Sequence, residues 1–184
     1  MTKILPITRL GNPVLREVAT KLTVAEILSE EVQTLINDIR HTLKEKEYGV
    51  GLAAPQVGQS VALSVIGIKP TPNRPNLTPF ESVIINPEII ETFGRRSKMW
   101  EGCVSCGSGD DVLYGLVPRY KKIKLRWIDE TGTTREEILE SFVAHVAQHE
   151  TDHLNGILFI DKVKDSKSYM MADEFKQRIV KNSN

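Results

Sequence analysis

SFVAHVAQHETDHL, residues 141–154, reads as a helix. Ser141 is a candidate N-cap, and Gly156 stands just past the far end. Phe142, Val146, His149 and His153 fall on one stripe. Two histidines four apart on a helix face the same way, so both imidazoles can meet one metal ion. Glu150, between them, is rotated by about 100°, close to such an ion without being a ligand. The competing reading of the same five residues, His149 to His153, is a pair of surface histidines.

Upstream of this helix the chain reads as strands. Val61–Ile68, Ser82–Asn86, Ile89–Phe93 and Lys121–Ile128 are short and rich in Val and Ile, and Thr133–Leu139 is a weaker candidate. Lys69–Pro79 carries four prolines and no periodicity, the mark of a surface loop, and residues Asp129 to Gly132 read as a hairpin turn. Further back, Val24, Ile27, Leu28, Val32, Leu35, Ile36, Ile39 and Leu43 follow the spacing of an amphipathic helix. Thr23 and Glu26 form a candidate capping box, with a stop at Tyr48 and Gly49. Past residue 164 the expectation is a tail helix from Asp165 to Lys181, anchored by Tyr169, Phe175 and Ile179. Strands in an antiparallel arrangement followed by a helix give an α+β class. The expected architecture is antiparallel β-sheets packed around a central helix that carries the histidines, with an N-terminal amphipathic helix. At 184 residues the chain is expected to form a single domain, 1–184.

Lys plus Arg number 24 and Asp plus Glu number 24, so the formal charge is zero. A chain-wide electrostatic grip on nucleic acid is therefore not expected, and the local run Lys121, Lys122, Lys124, Arg126 reads as a solvated strand face. No window is apolar for long enough to span a membrane, and the N-terminus lacks a signal-peptide pattern. Cys103 and Cys106 are the two cysteines, too few for a disulfide scaffold, which makes a cytoplasmic setting the expectation.

A catalytic metal needs a third ligand, and Cys103 is the candidate. Two imidazoles and one thiolate leave a tetrahedral ion one position for water. Cys106 offers an alternative, a closed structural site of two cysteines and two histidines. Against it, Glu150 would be idle, and the cysteines and histidines lie much further apart than the roughly 12 to 15 residues of a zinc finger. A redox pair at Cys103 and Cys106 lacks the strand-to-helix context. Gly49 to Gln56 (GVGLAAPQ) is a small-residue loop whose glycines let backbone approach a ligand, while Gln56 offers an amide donor. On its own that loop reads equally as a tight turn into the next strand.

Taken together, GVGLAAPQ (49–56), EGCVS (101–105) and HETDH (149–153) resemble the three ordered motifs of the peptide deformylase family. Weaker similarity extends over most of the chain, through Pro13 to Arg16, Val117 to Arg119 and Leu154 to Phe159. The resemblance implies hydrolysis of the N-formyl group from N-terminal formylmethionine, with release of formate. It implies Cys103, His149 and His153 as ligands of a divalent metal, ferrous iron in most members, with zinc, nickel or cobalt able to replace it. Glu150 would carry the proton, Gln56 and the backbone N–H of Val104 would bind the oxyanion, and Gly51 would line the substrate's backbone. The implied partners are N-formylated nascent peptides near the ribosome.

Several positions depart from the family pattern. Thr151 replaces an apolar residue, and His145 stands where an aliphatic residue usually walls the methionine pocket. His145 has three readings: a hydrogen-bonded wall residue, a surface histidine, or a partner of a metal ligand. The stretch from Cys106 to Leu113 lengthens the loop after the second motif, and Tyr114 stands where many bacterial members have arginine. The expectation is intact chemistry with an edited substrate wall. A zincin-type peptidase and a non-catalytic binder of formylated peptides are the rival readings. Against the first, no histidine follows His153 and Cys103 lies upstream in a motif of its own; the second has no use for Glu150.

Overall fold

The computed structural model describes residues 2–45, 49–71 and 75–181. The N-terminal helical region is two helices, α1 (Val24–Ile27) and α2 (Glu30–Glu45), with the Thr23–Glu26 capping box formed at the first. The break has a local cause. Ser29 Oγ donates to Glu26 O at 2.6 Å and accepts from Val32 N–H, so it ends one helix and starts the next. Of the stop expected at Tyr48 and Gly49, Tyr48 lies outside the described residues.

Five strands follow the helices before the histidines are reached: β1 (Gly51–Ala53), β2 (Leu63–Ile68), β3 (Phe80–Gly102), β4 (Leu113–Ile128) and β5 (Thr134–Glu140). They pair antiparallel in the order β1-β2-β3-β4-β5. Ser82–Asn86 and Ile89–Phe93, expected as separate strands, belong to the single long β3. Its register against β4 shifts between Ile85 and Glu88, because Pro87 has no N–H to donate and Asn86 sits at φ 51°. Asn86 spends its side chain on Leu22, accepting from its N–H at 3.0 Å and donating to its carbonyl at 2.7 Å. The turn after β4 closes with Asp129 N–H donating to Thr133 O, and Gly132 takes φ 79° there.

Both faces of the sheet are covered at β2, which is why five of its six residues are buried instead of every second one. Leu63, Val65 and Ile85 pack against Ile36 and Ile39 of α2. Ile66, Ile84, Ile123 and Leu125 pack on the opposite face against Ala144 and Ala147 of α3 (Ser141–Leu154). Each such fully buried aliphatic side chain contributes about 1.5–3 kcal/mol. The outer basic residues of β4 are matched by acids on β5: Lys122 pairs with Glu140 at 2.7 Å and Arg126 with Glu136 at 2.9 Å.

Two expectations about helix ends are corrected. Ser141 is the first residue of α3 at φ 53°, and Glu140 is the extended N-cap, with no side-chain cap bond. Because β5 runs straight into α3, the chain turns within one residue. The tail is not one helix from Asp165. Helix α4 (Phe159–Lys162) and a turn at Ser166–Ser168 are followed by a short strand, β6 (Met170–Met171). Strand β6 pairs with Leu113 and Tyr114 of β4, and α5 (Ala172–Phe175) begins only there, running on into a π-helical turn, Lys176–Val180.

Candidate metal centre and active site

Strand β3 ends at Gly102 and delivers Cys103, while α3, buried on the sheet, presents His149 and His153 one turn apart. Cys103 Sγ lies 3.3 Å from His153 Nε2, which lies 3.2 Å from His149 Nε2. All three ligand atoms fall within 4.8 Å of one another. Bonds of about 2.0–2.1 Å to nitrogen and 2.3 Å to sulfur at tetrahedral angles place ligand atoms roughly 3.3–3.6 Å apart, so these residues fit a divalent ion. The ring orientation of His149 supports the same reading. Its Nδ1 lies 2.7 Å from Glu101 Oε2, an ionised carboxylate that can only accept, so Nδ1 holds the proton and Nε2 offers its lone pair to the centre. Cys106 does not supply one of the three grouped ligand atoms; its thiol shares a hydrogen bond with that of Cys103 and packs on the cluster of Cys103, Val117 and Phe159.

Glu101 is the hub that the sequence reading left without a role. Burial alone would raise its carboxyl, but hydrogen bonds from His145, His149 and Arg119 outweigh that and hold it well below the usual carboxylate range. Oε1 accepts from Arg119 Nε at 2.6 Å and from His145 Nε2 at 2.8 Å; Oε2 accepts from His149 and from Arg119 Nη2 at 3.0 Å. Arg119 also pairs with Asp152, which in turn accepts from Lys162 Nζ at 2.8 Å. No spacing in the sequence joins Glu101, Arg119 and Asp152. The β3–β4 register and the packing of α3 on both strands bring them together. His145 is thereby a buried, hydrogen-bonded wall residue that shares Glu101 with His149.

Glu150 is 2% exposed, and burial pushes its carboxyl up to about 7. A Cβ added at Gly51 would stand 2.3 Å from Glu150 Oε1, so only glycine admits the carboxylate here. Among the described residues, Glu150 Oε2 is buried without a hydrogen-bond partner. Gln56 is fixed from both ends of its amide. Oε1 accepts from Ala53 N–H at 2.9 Å, and Nε2 faces Cys103 Sγ at 3.2 Å and Ser105 Oγ at 3.3 Å. The loop expected at Gly49 to Gln56 is thus β1 followed by a 3-10 turn, Ala54–Val57. Burial and the fields of His149 and Arg119 hold His153 well below its ordinary value, so its ring is neutral. His149 is raised, because the hydrogen bond and charge of Glu101 outweigh its burial.

A cleft of about 260 Å³ opens on this cluster. Gly51, Gln56, Cys103, Val104, His149 and Glu150 all border it, so every residue expected at the site meets one cavity except His153, which lies behind the others as the 1% exposed third corner. Phe142, His145 and Val146 of α3 and Tyr114 of β4 also line it. Gly109, in the lengthened loop, also borders the cleft, whereas none of the described residues of Lys69–Pro79 does.

Comparison with known proteins agrees with this geometry. Residues 4–169 match the family model for polypeptide deformylase. A peptide deformylase 2 of Nostoc sp. is 37% identical over 182 residues, spanning 98% of both chains. A peptide deformylase of Leptospira biflexa is 38% identical over 170 residues, spanning 89% of both. Among solved structures, a class I type b peptide deformylase from Acinetobacter baumannii with Met-Ala-Ser bound superposes with a TM-score of 0.81 at 32% identity, covering 89% of this chain and 100% of that one. Cys103, His149 and His153 therefore sit in a chain that belongs to the polypeptide deformylase family, metallohydrolases that act on the N-formyl amide of N-formylmethionine peptides.

Proposed function

We propose that residues 1–184 form one catalytic domain that deformylates nascent peptides through a metal held by Cys103, His149 and His153. The observation that carries this reading is the carboxylate of Glu150, buried against Gly51 and bordering the same cleft as the ligand atoms. A structural metal site has no use for such a group. Ferrous iron is the ion proposed for the cell, with zinc, nickel or cobalt able to substitute; one thiolate and two imidazoles suit any of these. The substrates are N-formylated chains emerging near the ribosome in the cytoplasm, with no direct nucleic-acid site. No helix of the described residues is long and apolar enough to cross a membrane.

An amide carbon is a poor electrophile, and water is a poor nucleophile. When bound, the divalent cation supplies the Lewis acidity that acidifies water and polarises a carbonyl. Glu150 then takes the proton of the attacking water and hands it to the leaving amine, a task for which a pKa of about 7 is well placed. Gln56 Nε2 and the N–H of Val104 donate to the oxygen that gains charge, each such donor contributing about 3–4 kcal/mol in known hydrolases. Gly51 keeps the substrate's backbone beside Glu150. Glu101 holds His149 in the tautomer that ligation needs, and His145 takes a share of the same carboxylate.

The test is formate release from formyl-Met-Ala-Ser by protein purified without oxygen, with its metal identified. Formate release with iron in the preparation is expected. Cleavage of an internal peptide bond without formate would favour the zincin reading, and tight peptide binding with neither product would favour a binder.

A further inference from the structure

Two parts of the cleft are built by segments that carry none of the three motifs. Ala172 and Lys176, from the C-terminal segment, border it, and so does Gly109, from the loop after Cys103. Strand β6 fixes the C-terminal segment at its start by pairing Met170 with Tyr114 and Met171 with Leu113. Phe175 fixes it further on. Its ring lies flat on Tyr114 with centroids 4.1 Å apart and planes 2° from parallel, and meets Trp100 edge-on at 5.4 Å. Tyr114 in turn lies over Gly102, where a Cβ would stand 2.9 Å from its ring, so the stack reaches to within one residue of Cys103. Finally, Lys176 Nζ pairs with Asp110 at 2.8 Å, tying the C-terminal segment to the 109–111 turn, whose Gly109 also borders the cleft.

From these contacts we infer that the C-terminal segment is a substrate-specificity element, with Ala172 and Lys176 touching the peptide residues that follow the formylated one. Phe175, which does not border the cleft, is a positioning residue that holds Tyr114 and α5 in place. The lining of the cleft sets this assignment. The formyl carbonyl must reach Cys103, Gln56 and Val104, and the first side chain has the wall of Phe142, His145 and Val146. The residues left to line the path of the chain beyond it are Gly102, Tyr114, Ala172 and Lys176. A bulkier residue at 172 narrows that path, and loss of Lys176 removes its contact with the peptide together with the ion pair to Asp110.

This inference rests on the deformylase reading, and the experiment separates the two. Formate release is measured from formyl-methionine amide, which has no second residue, and from formyl-Met-Ala-Ser. Release from the amide by the unaltered protein upholds the deformylase reading whatever the variants do. For the specificity element, the ratio of kcat/KM on the tripeptide to that on the amide is the readout. It is expected to fall by about tenfold in Ala172→Phe and about threefold in Lys176→Ala, mostly through KM. Phe175→Leu is expected to lower the ratio and Phe175→Tyr, which keeps a ring on Tyr114, to restore it. Lys176 is exposed, so its variant folds irrespective of Ala172→Phe. An unchanged ratio in Lys176→Ala, or equal losses on both substrates in that variant, overturns the inference.

Discussion

The Nδ1 of His149 donates a 2.7 Å hydrogen bond to Glu101, a carboxylate that is itself 4% exposed and saturated by Arg119 and His145. A residue two positions before Cys103 thus orients the ligand on the far helix. The strand end and the helix, distant in sequence, present three candidate ligand atoms together.

Replacing Glu101 by Gln tests that link. The amide puts a donor against donors from Arg119 and the histidines, so His149 loses its fixed tautomer. Metal affinity is expected to fall by about 10–100-fold, read by competition with a chromogenic chelator. Stability should fall with it, by about 1–3 kcal/mol, because the buried guanidinium of Arg119 keeps Asp152 but loses the charge of Glu101. Unchanged affinity would show that Glu101 serves only the fold.

Gly51→Ala addresses the proton carrier without touching it. The new Cβ displaces Glu150 Oε1 from a 2.3 Å clash, which shifts the carboxylate by the order of an ångström. Turnover is expected to drop by about a hundredfold while the bound metal stays. Metal analysis beside the rate measurement checks both halves.

The raised pKa of Glu150 has a stability consequence in metal-stripped protein. Its folded value is about 7 against an ordinary 4.5, so in that window the folded chain holds a proton that the unfolded chain has released. Stability contributed by this group is therefore complete below pH 4.5 and is lost as the pH rises through 7. Glu150→Gln does not titrate. Relative to the unaltered protein it should gain up to about 3 kcal/mol between pH 4.5 and 8, read from urea unfolding at both pH values. A difference that stays flat with pH would contradict this.

Much of the site was legible because its chemistry is local in sequence. His149, Glu150 and His153 lie within one turn and a half of a helix, and Cys103 with Gln56 came from motifs of their own. Glu101 was quoted inside such a motif, but nothing in its neighbourhood says that Arg119 and two histidines will surround it. That follows from strand pairing. Of the fold, the apolar runs Leu63–Ile68 and Ile84–Ile85 were readable from composition. The half of β3 from Gly94 to Gly102 was not, because Arg96, Ser97 and Lys98 carry no strand signal and are held by pairing with β4. The break at Ser29 was hidden for the opposite reason, since apolar spacing runs straight through it while a hydroxyl does the capping. The C-terminal segment was read as a helix with packing anchors, and its approach to the cleft depends on Met170 pairing with Tyr114, which no periodicity reveals.

The central claim is that a buried carboxylate beside three convergent ligand atoms moves the proton in amide hydrolysis. Glu150→Ala tests it most directly, with formate release from formyl-Met-Ala-Ser and metal content measured on the same sample. The account predicts a full complement of metal and a rate lowered by about a hundredfold to ten-thousandfold. An unchanged rate at full metal content would contradict it.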